Sequence, residues 1–362
     1  MSVYLVELGA LNVRLGNSTS RTPLATFLNK AVALPHSRLL EEAAFLFGEE
    51  AELLQPGYPC LAPLRDGRVA HWPALLGLLE HLLTRMGLVP DPQALPFDRA
   101  ERRLQLVTGL GHPAADFERL CAFLFEARLV DELSFSPSAV NALYYSGNVT
   151  GLVVDAGHDA VRALPVVEGF SDRRWLRSSP FAGAALSRAV AAALRGPGEE
   201  PLCREAVLQH VKQSHAAFLA EGGVGPQRCA LPDGGELLIR SELRPALEEF
   251  YGLGAHPRAG LLGAVVGCLD RFDQHTRANL ALKLLPTGGS ACLAGFDAVL
   301  ARELPLRSRL RFELVGNDDR LQAAYKGSHD LMELRSAVNP FISRREFEES
   351  GLQIILKKVK FC

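Results

Sequence analysis

The pattern in Val154-Asp155-Ala156-Gly157-His158-Asp159-Ala160-Val161-Arg162 decides the reading of this chain, because it occurs twice. Val6-Glu7-Leu8-Gly9-Ala10-Leu11-Asn12-Val13-Arg14 aligns with it without a gap. A carboxylate, a glycine two residues on, a valine six on and an arginine seven on recur at an offset of 148 residues, from Glu7 to Asp155. Each copy reads as strand, tight turn, strand, with a glycine that admits backbone conformations closed to other residues and lets another group approach the main chain. Two lobes carrying such hairpins could clamp a polyphosphate between them through turn N–H groups. The carboxylate ending each first strand could hold a hydrated divalent cation. The competing reading is two ordinary hairpins that share four residues by chance, with Glu7 and Asp155 acting only as turn-stabilising acceptors.

A third element lies downstream. Leu284-Leu285-Pro286-Thr287-Gly288-Gly289-Ser290 is an apolar run that breaks into a Gly-Gly-Ser turn, and a helix-compatible stretch from Phe296 to Leu304 follows it. Gly-Gly lets a planar base or ribose lie against the backbone, and a helix N-terminus favours anions. Elsewhere strand-like and helical patterns alternate, which argues for an α/β architecture. Trp72 to Leu83 reads as a helix with Pro73 in its first turn and Leu75, Leu76, Leu79, Leu82 and Leu83 on one face. Leu104–Val107 reads as a short buried strand, and His112-Pro113 opens a helix carrying Phe117, Leu120, Cys121 and Leu124. Ser136-Pro137 reads as another helix start, serine as N-cap, ending near Gly147. Leu231 to Ile239 reads as a hairpin turning at Asp233-Gly234. Ser343-Arg344-Arg345-Glu346 has capping-box spacing, and Lys357-Lys358-Val359-Lys360 reads as a solvated tail.

Composition bounds the function. At ~150 residues per domain, 362 residues predict two domains or lobes. With 48% hydrophobic and 22% charged residues the chain is globular, not disordered. The 39 basic and 41 acidic residues are well mixed, and no basic stripe supports a dedicated nucleic-acid binder. The seven cysteines, Cys60, Cys121, Cys203, Cys229, Cys268, Cys292 and Cys362, contain no C-x-x-C pair, so neither a disulfide framework nor a zinc knuckle is indicated. They are expected to be mostly buried apolar residues in a reducing compartment. No apolar stretch reaches the roughly 18 residues that span a bilayer. Val3-Tyr4-Leu5-Val6 follows directly on the first residues without a basic region or cleavage site, so a soluble intracellular protein is expected. No serine sits in a Gly-x-Ser-x-Gly elbow, and His210 and His215, five apart, do not share a helical face as a zinc pair would. No catalytic residue and no metal ligand is assigned.

Several ordered stretches together resemble the actins and actin-related proteins over almost the whole chain. Phe47-Gly48-Glu49-Glu50-Ala51 is similar to the family's Val-Gly-Asp-Glu-Ala, and Asp66-Gly67-Arg68-Val69-Ala70-His71-Trp72 to the segment leading to its Asn-Trp. Tyr144 to Gly157 is similar to the most recognisable actin stretch. Leu231-Pro232-Asp233-Gly234 resembles the family hairpin, and Arg277 to Leu280 through Thr287-Gly288-Gly289 the adenosine-side segment. Ile342 to Gly351 and the terminal Phe361-Cys362 resemble the actin C-terminus.

The resemblance implies a two-lobed actin-type α/β fold: duplicated ribonuclease-H-like domains, four subdomains and a central cleft. It implies a first lobe at 1–145 with 26–62 as its small outer subdomain, and a second lobe at 146–322 with 182–257 as its outer subdomain. Residues 323–362 would return to the first lobe. It carries nucleotide-site roles onto Glu7, Gly9, Arg14, Asp155, Gly157, Gly183, Lys212, Gly288 and Gly289. The departures are specific. Ala10 and Leu11 replace the family's phosphate-hairpin serine and glycine, and Arg14 replaces a lysine. His158 and Asp159 stand where Asp-Gly is usual, Gln213 replaces an acid, Ser138 the water-placing glutamine and Arg162 a histidine. ATP or ADP with magnesium is the cofactor the family implies, for a site degraded in these positions, so whether nucleotide binds is left open. The function the resemblance implies is a divergent, testis-type actin-like cytoskeletal or scaffolding protein, not an enzyme beyond residual ATPase. The alternative is an ATP-binding, polymerisation-competent subunit. Protein partners, actin or another cytoskeletal complex, are implied, with no nucleic acid and no membrane. Residence is expected in the cytoplasm at the cytoskeleton, with the nucleus left open.

Overall fold

A computed structural model describes residues 3–34, 45–54, 58–65, 68–86, 101–109, 111–194, 205–220, 227–231, 235–239, 244–254, 256–334 and 339–359. Asp66-Gly67, Pro232-Asp233-Gly234, Cys203, Lys360 and Phe361-Cys362, all used above, lie outside the described residues. The chain divides into two compact units, Met1–Gly147 with Gln322–Cys362, and Asn148–Leu321.

Two sheets carry the architecture. Their strands are β1 (Val3–Leu8), β2 (Asn12–Asn17), β3 (Ala25–Leu28), β4 (Arg103–Thr108), β5 (Glu132–Pro137), β6 (Gly151–Ala156), β7 (Val161–Val166), β8 (Arg177–Ser179), β9 (Leu284–Thr287) and β10 (Ile342–Ser343). In the first unit the order is β10-β5-β4-β1-β2-β3. β1, β2 and β3 pair antiparallel, and β1, β4 and β5 parallel. In the second unit the order is β8-β7-β6-β9, with β6, β7 and β8 antiparallel and β9 parallel to β6. An isolated parallel bridge from Leu284 to Leu314 lies beside β9, where the first sheet has a full strand. The repeat read from the sequence is thus a repeat of topology, ribonuclease-H-like in both units.

Parallel neighbours need a crossover, and helices supply it. The helices used below are α1 (Trp72–Arg85), α2 (Ala114–Glu126), α3 (Ser138–Tyr145), α4 (Gly183–Leu194), α5 (Glu205–Ala220), α6 (Leu261–Leu269), α7 (Phe296–Ser308), α8 (Ala323–Leu334), α9 (Arg344–Ser350) and α10 (Leu352–Lys358). α1 starts with proline in its first turn, and the His71 ring accepts from the Ala74 amide. Its buried face is Ala74, Leu75, Leu78, Leu79, Leu82 and Leu83. Leu76, placed on that face by the sequence, is only partly buried, and Leu78 takes its place. α2 buries Phe117, Leu120, Cys121 and Leu124 as expected. In the second unit Leu152, Val154 and Ala156 of β6 and Val161 and Ala163 of β7 share a core with Leu262, Val265 and Cys268 of α6 and Phe296 and Leu300 of α7. Val190 and Ala193 of α4, Leu208 and Val211 of α5, and Cys229 form a separate small core.

Two further sequence expectations need correction. Ser136 is not an N-cap: it lies in β5, buried, and its hydroxyl donates to Asn141 Oδ1 at 2.7 Å, while α3 begins only at Ser138. The strand needs those residues for pairing to β4, so the helix starts later than the Ser-Pro signal suggests. The basic end is not a solvated tail throughout. Lys358 donates to Glu346 Oε1 and Oε2 at 2.8 and 2.9 Å and to the Phe341 carbonyl, and Val359 is buried. The stretch from Phe296 is helical as expected: Gly288-Gly289 runs through a short 3₁₀ turn, Gly289–Cys292, into α7, whose first-turn Asp297 is held by Arg320 at 2.6 Å. The Ser343 capping box is present, with Glu346 and Ser343 bonding each other's backbone N–H. Cys121, Cys229 and Cys268 are buried thiols, whereas Cys292 is exposed.

Candidate functional site

Each hairpin places its carboxylate opposite its arginine. β1 and β2 pair Glu7 with Arg14 in register, and β6 and β7 pair Asp155 with Arg162. Residues directly opposed on antiparallel strands share a face, with Cβ atoms about 4.5–5.5 Å apart. The seven-residue spacing is therefore the length of the hairpin, and the repeated acid and base are cross-strand partners. Arg14 Nη1 donates to Glu7 Oε1 at 2.9 Å, with both side chains 12% exposed. Arg162 Nη1 lies 3.8 Å from Asp155 Oδ2 in a looser and wetter pair.

The turns match as well. The Gly9 amide donates to the Asn12 carbonyl at 3.0 Å, and the Gly157 amide to the Ala160 carbonyl at 3.2 Å. A Cβ at Gly9 would sit 2.6 Å from Asn12 O, and one at Gly157 3.0 Å from Ala160 O. The hairpin itself demands glycine at position 9 and leaves a Cβ at position 157 tight; the reason is space, not the special backbone conformation the sequence suggested, since neither glycine has a positive φ. Asn29, absent from the sequence reading, closes the first turn: its Nδ2 donates to Gly9 O and its amide to Leu11 O, each at 2.7 Å.

The second hairpin is tied to two neighbours. The Gly157 and His158 carbonyls accept from the first amides of α4, Gly183 N at 3.1 Å and Ala184 N at 2.6 Å. Ser290 Oγ donates to the Gly157 carbonyl at 3.3 Å. A Cβ on Gly183 would lie 2.9 Å from Ser290 Oγ and 3.1 Å from Gly157 O, so this glycine permits the contact between α4 and the turn. Gly288 has φ +88°, and its Cβ would meet Ala156 O and Asp155 Oδ1, each at 2.7 Å. Gly289 meets only Leu321 Cδ2 at 3.7 Å. Asp159 has His158 Nε2 at 3.9 Å.

Lys212 is buried on α5, and its Nζ donates to Ser187 Oγ at 2.8 Å and to the Gly183 carbonyl at 3.4 Å. Burial pushes its ammonium down to about 8, with the Glu205 carboxylate pulling the other way. Glu205 in turn accepts from Ser187 Oγ and Gln209 Nε2. In the first unit Tyr325 of α8 is buried beneath β2, its hydroxyl where a side chain on Gly16 would go. Burial, and then Glu7, raise its phenol.

Glu7, Gly9 and Arg14 thus form one cluster, and Asp155, Gly157, Gly183 and Gly288 another, with Lys212 joined to the second through Gly183. Asn29 and Ser187 belong to these clusters without any local motif to mark them, and Ser290, legible only as the end of the Gly-Gly-Ser turn, joins the second, since only tertiary contact brings them in. Ser138 begins α3. Among the described residues no group of three or more His, Cys, Asp or Glu could hold a metal ion. None of their helices is long and apolar enough to cross a membrane.

Two sheets of one topology, each turning on an acid-x-Gly hairpin closed by an arginine, define the two-lobed actin-type class of α/β protein. The sequence model described as Actin matches residues 1–217, and the chain belongs to the actin family. It is similar to Actin-like protein 9 of Rattus norvegicus, with 25% identity over 378 residues covering 99% of this chain and 89% of that protein.

Proposed function

We propose that this actin-family chain is a divergent structural or scaffolding element of the cytoskeleton, with weak or no nucleotide turnover. One observation carries the reading: each hairpin carboxylate is matched by an arginine of its own hairpin, Glu7 by Arg14 and Asp155 by Arg162. A hydrated magnesium ion is drawn to carboxylates whose charge is unspent. Here a guanidinium of the same hairpin already supplies the counter-charge, closely at Glu7 and more loosely at Asp155, and a cation would have to displace it. The magnesium-nucleotide the family implies therefore fits these residues poorly. Ala10 brings no hydroxyl, Leu11 fills space, and the α4 amides that could face an anion donate to the second turn. Asp159 adds negative charge to that turn. Ser138 is too short to place a water as a glutamine would, and Arg162 accepts no proton near neutral pH.

The nine residues from Glu7 to Gly289 are, on this reading, the remains of a nucleotide site kept as framework. Four subdomains, with 26–62 and 182–257 as the outer pair, and binding to actin or another cytoskeletal complex in the cytoplasm complete the proposal. A tissue-restricted, testis-type role rests on family analogy alone. The test is to purify the chain without added nucleotide and analyse it by mass spectrometry, then assay hydrolysis with Mg-ATP. Neither ATP nor ADP should co-purify. Stoichiometric nucleotide, or turnover at the rate of filamentous actin, overturns the proposal in favour of an ATP-binding, polymerising subunit.

A further inference from the structure

Register across the second sheet sets Thr287, Asp155, Arg162 and Ser178 in one row on one face. Arg162 stands between Asp155 and Ser178, about 4.8 Å of strand spacing from each. Its contact with Asp155 is long, and its Nη2 is buried without a hydrogen-bond partner among the described residues. Ser178 is exposed on β8, which forms the edge of the sheet. Arg173, Arg174 and Arg177 precede it by five, four and one residues. We propose that Ser178 is a phosphorylation site for a serine kinase that selects basic residues N-terminal to its target, and that Arg162 captures the phosphate. The proposal stands whether or not the chain binds nucleotide.

In the transfer, Ser178 Oγ attacks the γ-phosphorus of the kinase's nucleoside triphosphate. The new O–P bond forms as the bond to the departing nucleoside diphosphate breaks, and the hydroxyl proton passes to the kinase's base. The product carries close to two negative charges and three acceptor oxygens. Directly opposed side chains are close enough for those oxygens to meet the guanidinium fork without backbone movement. Asp155 competes for the same arginine with one charge from 3.8 Å. The other unit provides an internal control, because β4, β1, β2 and β3 align Val107, Glu7, Arg14 and Thr26 in the equivalent row. Thr26 is exposed as well, but Arg14 is closed onto Glu7 at 2.9 Å. Of the five residues before it only Arg21 is basic, held by Asp330 at 2.7 Å, against three before Ser178, of which Arg174 is likewise bonded to a carboxylate, that of Asp172.

The full chain, incubated with Mg-ATP and the catalytic subunit of a basophilic serine kinase, should carry phosphate on Ser178 and none on Thr26 by peptide mapping. Ser178→Ala should lose that label. Failure to label the folded chain, under conditions that label a synthetic peptide of residues 170–183, overturns the site. Phosphorus NMR then reads the capture. The second ionisation of free phosphoserine lies at about 6, and pairing with Arg162 should lower it by about half a unit or more. In Arg162→Gln the value should return to that of the free phosphate. A parent value equal to free phosphoserine, or the same depression in both proteins, overturns the capture. If Arg162→Gln does not fold, Arg162→Lys, which keeps the charge and loses the fork, should recover part of the shift, and an unchanged value there overturns bidentate capture.

Discussion

Gly288 and Gly289 are neighbours of one type, yet the fold requires only the first. At φ +88° and with Ala156 O and Asp155 Oδ1 2.7 Å from where a Cβ would stand, Gly288→Ala should destabilise by about 1–3 kcal/mol. Gly289→Ala, meeting only a leucine methyl at 3.7 Å, should stay within about 0.5 kcal/mol. Urea midpoints compare the two, and equal losses would contradict the packing argument. The sequence offers both glycines to a ligand with equal weight, because a dihedral angle and a neighbour 132 positions away leave no local trace. Lys212 teaches the same lesson through charge. The resemblance puts it beside a base, whereas the fold buries it against Ser187 and the Gly183 carbonyl. Burial lowers it to about 8, against about 10.4 in an unfolded chain. Between those values the unfolded chain holds more protons, so this lysine makes stability rise with pH. The cost of burying its charge is fully present below pH 8 and disappears as the pH approaches 10. Lys212→Met lacks that dependence, and its stability relative to the parent should fall by about 2 kcal/mol between pH 7 and 9.5. Parallel urea-unfolding curves for the two proteins across that range would show that Lys212 titrates normally.

Elements were legible where their signals are local. Ser343-x-x-Glu346 reads directly as a capping box and forms one, since all its bonds lie within four residues. The same kind of signal failed at Ser136-Pro137, where strand pairing to β4 takes the residues that a local reading gives to a helix cap. α1 failed more gently. Leucines at 75, 76, 78, 79, 82 and 83 satisfy two helical phases, and the neighbours, not the periodicity, select the one that buries Leu78. At the C-terminus the capping box continues into a clasp that no local pattern announces, with Lys358 of α10 returning to Glu346 of α9. Burial alone would raise the Glu346 carboxyl, but the Lys358 ammonium and the Ser343 amide and hydroxyl hold it below its ordinary value. A depressed carboxyl stabilises above its unfolded value and loses that contribution as pH falls through the folded one. Ser343→Ala should therefore cost about 1 kcal/mol at pH 7. The loss should show as faster amide exchange in α9 and α10, with little change in α2, and should shrink as the solution is made acidic.

For the whole molecule, the two-unit plan was legible because both units solve the same problem with the same hairpin. Acid, glycine and arginine recur at fixed spacing since each tight turn leaves little or no room for a Cβ and each register sets the arginine opposite the acid. What the spacing concealed was the direction of the arginines, which turn back on their own carboxylates. That has a consequence for the molecule as a whole. A ligand that binds only the folded state stabilises it by RT ln(1 + [L]/Kd), about 2.7 kcal/mol at a hundredfold excess over Kd. A fold whose hairpin carboxylates depended on a cation would lose that contribution when the cation is stripped. Here the counter-charges are covalently part of the chain. Its melting temperature should therefore change by less than about 1 °C between EDTA and 1 mM Mg-ATP, by the same linkage. Arg162→Ala should reverse this. With Asp155 left half-buried and without its guanidinium, the variant should melt below the parent in EDTA and regain part of the difference when magnesium is added. A parent already stabilised by magnesium would mean that the arginines do not supply the counter-charge. A variant indifferent to the ion would mean that the hairpin has lost the geometry to hold one even when its charge is restored.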